Sequence, residues 1–143
     1  MVVVALVLAT AFGLFRALTD GRFRGTHRVR GAEAATEAPL SVLHGADLEH
    51  DLGERATLLQ FSSAFCAPCR ATRRVLTDVA AVVPGVEHIE VDAEHHLELV
   101  RRLGVLRTPT TLVLDQHGQE VTRAMGALRK EQVLAALAQA VPD

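Results

Sequence analysis

The order and spacing of the apolar segments predict an α/β fold. From Leu40 onward, short apolar runs of strand length alternate with longer segments whose apolar residues recur at helical spacing. Strands that alternate with helices build a sheet that is covered on both faces. A cysteine pair between the first strand and the first helix of this region marks the candidate site.

The predicted strands are short runs that are apolar throughout or alternate between apolar and polar residues. They are Ala56–Ser62, Val86–Asp92, Thr110–Leu114 and, with a weaker pattern, Glu120–Arg123. The predicted helices are Cys69–Val83, a short helix around Leu97, Val100 and Leu103, and Arg129–Val141. The first helix ends at Pro84-Gly85, because the residue before a proline avoids the helical region. The resulting order is strand, helix, strand, helix, two strands and a final helix.

Composition limits the size of the protein and its classes of partner. The 143 residues suffice for one small domain with an appendage. Apolar residues make up 49% of the chain, which is enough for a core, although aromatic residues make up only 3%. A formal net charge of -2 provides no strong positive field for phosphates, so we expect no nucleic-acid partner.

The N-terminal segment is predicted to be a membrane-anchor helix over residues 1–18. Met1–Phe15 carries no charge, and the apolar stretch reaches 18 residues if Arg16 extends its guanidinium to the membrane interface. A cleaved signal peptide should carry positive charge before its apolar run, whereas here the arginines follow it. A buried core helix is the other alternative, and the Arg-rich segment that follows fits it poorly. Residues 19–39 are predicted to be a flexible Arg-rich linker, and residues 40–143 the folded domain.

The arginines also predict an orientation in the membrane. Arg and Lys that flank a span tend to stay in the cytoplasm, and here they flank its C-terminal side. We therefore expect a single-pass protein with its N-terminus outside and its folded domain in the cytoplasm. An extracytoplasmic domain is the alternative, because a short single span is easily misread.

The two cysteines, Cys66 and Cys69, are three residues apart and are predicted to be reactive. A disulfide across two intervening residues closes a very small loop and would stabilise the fold little, so the pair is redox-active or binds metal. At a helix N-terminus, Cys66 would face unpaired backbone N–H groups and the positive end of the helix dipole, which lower the pKa of a thiol. Cys69 would lie one turn into the helix, within reach of the same sulfur. Pro68 suits the first helical turn, where its missing N–H costs nothing.

Several motifs in the same order resemble those of the thioredoxin family. They cover the chain from about Ser41 to Val141 and are Cys66-Ala67-Pro68-Cys69, Val91-Asp92, Thr108-Pro109-Thr110, Gly118 and Gly126-Ala127-Leu128. The resemblance implies the thioredoxin fold, a central mixed β-sheet with helices on both faces. It also implies that Pro109 is cis and lies opposite the active-site cysteines, which leaves the Thr108 backbone free to pair with an extended substrate.

The resemblance further implies a thiol–disulfide oxidoreductase that acts on protein disulfides or dithiols. Cys66 would attack as the nucleophile, and Cys69 would resolve the mixed disulfide. The reaction would need no metal and no cofactor besides the Cys66–Cys69 disulfide. The expected partners are protein substrates, a reductase or membrane redox partner that recharges the pair, and the lipid bilayer. The expected state is a monomer.

The sequence departs from the family pattern at four positions. Ala67 replaces the usual glycine, and Phe65 stands where the family has tryptophan; both changes are mild. Gln60 occupies the position of a buried aspartate that is thought to take the proton of the second cysteine, and glutamine has no titratable group near neutral pH. His88 falls where thioredoxin often has lysine, and its imidazole is a candidate replacement base. The alternative for His88 is a partly exposed side chain with no part in the chemistry.

Two further clusters have plainer explanations than function. His95 and His96 with the two cysteines could supply four metal ligands, but adjacent helix residues point about 100° apart, which favours solvent-exposed side chains. Arg70, Arg73 and Arg74 could favour the thiolate or attract acidic partners, and the exposed face of a helix explains them as well. Two other functions stay open: a partner-docking module with incidental cysteines, and a chaperone that carries copper(I) or zinc on the two thiolates.

Overall fold

The helices and strands follow the predicted order. In the computed structural model, the described residues are 2–19, 21, 23–25, 41–46, 48 and 51–141. In chain order the elements are α1 (Val2–Thr19), β1 (Phe23–Gly25), β2 (Ala56–Ser62), α2 (Ala67–Val82), β3 (Val86–Asp92), α3 (Leu97–Arg102), β4 (Thr110–Asp115), β5 (Glu120–Met125) and α4 (Lys130–Ala140). The four predicted strands are β2 to β5, and the three helices predicted within the domain are α2, α3 and α4.

The strands of the described residues form one mixed sheet. They lie in the order β1-β5-β4-β2-β3, with β2 and β3 parallel and every other neighbouring pair antiparallel. The predicted α/β class with a mixed sheet is therefore confirmed. All residues of β2 are buried, and a short segment, residues 63–65, connects the end of this strand to Cys66.

One face of the sheet packs against α2 and α4. Leu58 of β2 and Val113 of β4 meet Leu76 and Val79 of α2 and Leu137 of α4 in a closed apolar core. The apolar residues of α2 recur at helical spacing, so this helix lies flat on the sheet with its Arg-rich face outward.

The opposite face is covered by α3 and by the segment that precedes β2. Leu59, Phe61 and Leu112 of the sheet pack there with Leu99 of α3, and Leu52 joins from the preceding segment. Phe61 is fully buried, and burial of such a side chain contributes about 2–3 kcal/mol. This burial fixes the end of β2, and hence the start of the cysteine motif, against the core.

The strand β1 lies where the sequence predicted a flexible linker. Phe23–Gly25 pairs antiparallel with β5 and forms an edge of the sheet. Before it, Gly21 donates its backbone N–H to the Met125 carbonyl at 2.8 Å, and Gln132 of α4 donates its side-chain amide to the Gly21 carbonyl at 2.8 Å. The structure thus differs from the prediction at these residues. Phe23–Gly25 forms a strand because β5 offers backbone groups for pairing, and the local pattern of apolar residues does not reveal this pairing. The rest of the predicted linker lies outside the described residues.

The predicted N-terminal helix is present as α1. Its described side chains, residues 2–18, are exposed along the whole helix, although they are mostly Val, Leu, Ala and Phe. Among the helices of the described residues, none combines the length and the apolar character needed to cross a membrane. The predicted spanning segment therefore finds no support in the structure.

Candidate active site

Cys66 and Cys69 form a disulfide at the junction between β2 and α2. Their Cα atoms are 5.1 Å apart, and the two cysteines of the chain are both used in this bond. Cys66 is partly exposed and Cys69 is buried. An incoming group therefore reaches the sulfur of Cys66 first.

Cys66 is the residue that caps the N-terminus of α2. Its Sγ accepts a hydrogen bond from the backbone N–H of Cys69 at 3.1 Å, and Pro68 lies in the first turn. An N–H group that points at sulfur and the positive end of the helix dipole both stabilise negative charge there. The predicted placement of Cys66 at a helix N-terminus is confirmed.

The loop before β4 lies beside the cysteine motif. The Thr108-Pro109 peptide bond is cis, as the family resemblance implied. The Thr108 hydroxyl is 3.0 Å from the hydroxyl of Ser63, which lies between β2 and the cysteines, and the Gly126 backbone N–H donates to the Pro109 carbonyl at 2.8 Å. These two contacts hold the loop between the motif and the end of β5.

A cleft of about 580 Å³ opens next to this loop. Pro68 of the motif and Pro109 of the loop line it together, and so do Arg16 and Leu18 from the end of α1. Phe65 is fully exposed at the neighbouring corner of the site, and Ala67 is exposed beside it. Of the predicted supporting residues, Pro68, Thr108 and Pro109 thus line one open cleft.

Gln60 and His88 are bonded to each other beneath α2. Gln60 is fully buried; its Nε2 donates to the Cys69 carbonyl at 2.9 Å, and its Oε1 lies 3.2 Å from His88 Nε2. An amide oxygen only accepts, so His88 Nε2 must carry the proton. The other ring nitrogen, Nδ1, lies 3.2 Å from the Thr77 hydroxyl. Both ring nitrogens of His88 are therefore engaged with partners other than the cysteine sulfurs.

The environment of His88 favours the neutral imidazole. Burial lowers its pKa below the usual 6.5, an effect opposed by the Glu90 carboxylate and reinforced by Arg73. The adjacency of Gln60 and His88 agrees with the sequence prediction. The part of His88 as a base stays a prediction, and the bonding pattern offers it no direct path to either sulfur.

Glu90 is a site residue that the sequence interpretation missed, and Asp92, quoted there only as part of a family motif, also borders the site. They lie with Arg73 around a second cleft, of about 280 Å³, which Cys66 and Cys69 also line. The alternation of β3 could have indicated that Glu90 and His88 share a face of this strand. Glu90 is the register partner of Gln60 in the β2–β3 pair and therefore lies on the same face of the sheet as Gln60. Which strand would pair with which could not be read from either segment alone.

The histidine pair at the start of α3 forms no metal centre. His95 Nδ1 contacts the Asp92 carboxylate at 2.9 Å, and His96 Nδ1 contacts the Asp92 backbone carbonyl at 3.1 Å. The Glu94 backbone N–H and the His95 side chain lower the pKa of Asp92, which is solvent-exposed. Within the described residues, no group of three or more His, Cys, Asp or Glu side chains is arranged to hold a metal ion.

Comparison with known proteins decides the family. A model described as "Thioredoxin-like domain" matches residues 50–141, which is more than half of the chain. The chain belongs to the thioredoxin-like family. The matched region holds the disulfide, the cis-proline loop and the strands β2 to β5, which together are the elements around the cysteine pair of a thioredoxin-type domain. Members of the family need no cofactor besides the cysteine pair.

Individual relatives agree with this assignment. Thioredoxin of Mycobacterium tuberculosis is 28% identical over 127 residues, which are 88% of this chain and 98% of that protein. "Thioredoxin H-type 1" of Nicotiana tabacum is 30% identical over 78 residues, 54% of this chain. The match spans only 61% of the tobacco protein, and a match to human "Thioredoxin domain-containing protein 2" spans only 18% of that protein.

Solved structures show the same fold. The thioredoxin of Nicotiana alata superposes with a TM-score of 0.56 at 20% identity, covering 76% of this chain and all of that one. The thioredoxin of Fasciola hepatica gives a TM-score of 0.55 at 25% identity, covering 62% of this chain and 83% of that one. The thioredoxin fold implied by the sequence motifs is confirmed.

Proposed function

We propose that the protein exchanges disulfides with protein substrates, with Cys66 as the nucleophile and Cys69 as the resolving thiol. The observation that carries this proposal is the position of the Cys66 sulfur, which caps α2, accepts the Cys69 backbone N–H and is the more exposed of the two. A thiolate at this position is both stabilised and accessible to a substrate. Cys69 is buried behind it and can attack only a disulfide that Cys66 has already formed.

The reaction has two exchange steps. In the first, the Cys66 thiolate attacks one sulfur of a substrate disulfide, forms a Cys66–substrate bond and expels the other substrate sulfur as a thiolate. In the second, the Cys69 thiolate attacks Cys66, closes the intramolecular disulfide and expels the remaining substrate sulfur. The substrate gains the two electrons that the pair loses. Because Cys69 already lies within bonding distance, the second step has a high effective concentration.

The open surface between Pro68 and Pro109 supports a protein as the substrate. An extended segment can lie along the cleft and pair with the Thr108 backbone as an added strand. The exposed aromatic ring of Phe65 provides apolar contact at the edge of this surface. A reductase or another redox partner is required to return the pair to the dithiol after each turnover.

Reduction of insulin by dithiothreitol tests this proposal, because the released insulin chain precipitates and scatters light. We expect the full chain to accelerate precipitation, and we expect Cys66→Ser to abolish the acceleration. Without dithiothreitol, reduced Cys69→Ser should instead accumulate a mixed disulfide with insulin, visible on a non-reducing gel. If the full chain and the Cys66→Ser variant give equal rates, the oxidoreductase proposal fails, and the docking module becomes the better explanation. A stoichiometric metal ion after purification in reductant would favour the metal chaperone.

We also propose that α1 attaches the domain to a membrane. The support is its exposed apolar surface: Val2, Leu8 and Phe12 are each more than 60% exposed. An apolar helix surface that is exposed to water lowers its free energy by entering lipid. Sodium carbonate extraction of membranes tests this. The full chain should stay with the membrane pellet and Phe12→Arg should weaken its retention, whereas Leu106→Arg, at an exposed leucine of the domain, should not.

The orientation of the attached domain stays a prediction. With the domain on the cytoplasmic side, a membrane-impermeant maleimide should leave reduced Cys66 unlabelled in intact cells and label it after permeabilisation. Labelling in intact cells would place the domain on the extracytoplasmic side instead.

A further inference from the structure

The second exchange step requires a proton acceptor, because Cys69 must lose its proton before it attacks. At the family's usual carboxylate position this chain has Gln60, which cannot accept a proton from a thiol near neutral pH. His88 Nε2 carries a hydrogen that faces Gln60, and His88 Nδ1 faces the Thr77 hydroxyl. Both ring nitrogens of His88 are therefore bonded to other side chains and not to a cysteine sulfur.

A carboxylate on the neighbouring strand faces the same space. Glu90 of β3 lines the 280 Å³ cleft together with both cysteines. A water molecule occupies about 30 Å³ of liquid volume, so this cleft, which Cys69 and Glu90 both line, has room for water. A proton can therefore pass from Cys69 to Glu90 through solvent held in the cleft.

The Glu90 carboxylate is held in a fixed orientation. Arg73 donates through Nη2 to Oε1 at 2.8 Å and lies with Nε 2.7 Å from Oε2, and Ser62 donates its hydroxyl to Oε1 at 2.7 Å. A carboxylate has about four acceptor positions, and these contacts use three of them. Among the contacts of the described residues, Oε2 keeps one acceptor position. The Glu90 side chain is 26% exposed, so that position is accessible to water.

We propose that Glu90 is the proton acceptor for Cys69, acting through water in the cleft; this inference rests on the proposed roles of the two cysteines. The Cys69 thiol gives its proton by way of water to Glu90, and the resulting thiolate attacks Cys66 of the mixed disulfide. The Cys66–substrate bond breaks, and the departing substrate thiolate takes up a proton from the Glu90 carboxylic acid or from water. The charged and titratable groups that face Glu90 are Arg73 and Arg70 of α2 and His88 and Asp92 of β3.

Reaction with a small chromogenic disulfide, dithionitrobenzoate, separates the two exchange steps. With the reduced full-length protein in excess, attack by Cys66 releases the first thionitrobenzoate, and resolution by Cys69 releases the second. The variants are Glu90→Gln, Glu90→Asp, and the control Glu87→Gln, which makes the same change at an exposed residue on the opposite face of β3.

We expect Glu90→Gln to leave the first phase intact and to slow the second about 100-fold near neutral pH, the low end of what a positioned base contributes. Glu90→Asp should recover most of the rate, and Glu87→Gln should match the unmodified protein. The difference between Glu90→Gln and the unmodified protein should shrink as the pH rises, because hydroxide in solution then removes the thiol proton without the help of Glu90.

The sign of the effect distinguishes loss of a proton acceptor from a mere change in the local electric field. Loss of the Glu90 charge alone leaves the Arg73 cation beside the cysteines, which favours both thiolates and would speed the second phase. An unchanged or faster second phase in Glu90→Gln therefore overturns the inference, whereas loss of the first phase in unmodified protein overturns the proposed function itself.

A measurement on the unmodified reduced protein covers the case in which Glu90→Gln does not fold. The carboxyl ¹³C resonance of Glu90 should show a second inflection at the pH where Cys69 ionises, because a carboxylate close enough to take the thiol proton through water also interacts with the thiolate charge, and interacting groups titrate as a pair. A single inflection, with none at the pH of Cys69 ionisation, overturns the inference.

Discussion

Replacement of Gln60 by leucine tests the buried contacts that hold α2 and β3 together. Leucine has a similar volume but cannot make the hydrogen bond to the Cys69 carbonyl at 2.9 Å or the one from His88 at 3.2 Å. Each such bond contributes about 1 kcal/mol net, and the half-buried His88 N–H that loses its partner adds up to about 1 kcal/mol more. We therefore expect Gln60→Leu to lower the free energy of unfolding by about 2–3 kcal/mol.

Urea unfolding of the reduced protein at pH 7, followed by circular dichroism, measures this change. Gln139→Leu is the matched control: Gln139 is exposed on α4, so the same substitution there should change stability by less than about 0.5 kcal/mol. A double-mutant cycle with His88→Leu isolates the contact, and we expect a coupling energy of about 1 kcal/mol. A loss below about 0.5 kcal/mol in Gln60→Leu, or strict additivity in the cycle, refutes the hydrogen-bond assignment.

Three further predictions follow from single features. Burial lowers the pKa of His88, so the unfolded chain binds the proton more readily than the folded protein does. The free energy of unfolding should therefore fall as the pH drops below about 6.5, by at most about 1.4 kcal/mol per pH unit. Urea midpoints of His88→Gln should lack this pH dependence, and an equal pH dependence in both proteins would contradict the prediction. Gly53→Ala should cost about 3 kcal/mol or more, because its Cβ would press against the Ala56 carbonyl and lie 2.8 Å from the Glu87 backbone nitrogen. The control Gly104→Ala has open space and only a positive φ of 62°, so it should cost about 1 kcal/mol, and similar melting temperatures for the two would count against the packing argument. Phe65→Ala removes a fully exposed ring, so its urea midpoint should not change, while KM for insulin should rise; an unchanged KM would remove Phe65 from the substrate surface.

Most of the domain could be predicted because its strands are continuous apolar runs or simple alternations. Ala56–Ser62 and Val86–Asp92 were predicted with the ends that the structure shows, since each run stops at a change of composition. The start of α2 could be predicted from the cysteine motif alone, because Pro68 and the spacing of the two cysteines are typical of a first helical turn. The family motifs supplied the cis Thr108-Pro109 bond, which no local pattern distinguishes from a simple loop.

What the sequence did not reveal depends on pairing between distant segments. Phe23–Gly25 is too short for any period, and it becomes a strand only because β5 offers it a free edge. Glu90 looked like an ordinary exposed position of an alternating strand. Its place in the site follows from the register that sets it beside Gln60, and this register becomes visible only once the sheet is assembled.

The register also explains why a carboxylate on β3 can serve a cysteine on α2. Gln60 and Glu90 are register partners in the parallel pair, so a carboxylate at position 90 lies on the same face of the sheet as a carboxylate at position 60 would. The Gln60 position is fully buried, and an ionised carboxylate there would pay a large desolvation penalty. The Glu90 position borders a cleft and has Arg73 as a partner, so a carboxylate there stays charged at much lower cost. The buried residue Gln60 donates a hydrogen bond to the Cys69 carbonyl and stays uncharged. Glu90, which water can reach, is the residue to which we assign the proton transfer.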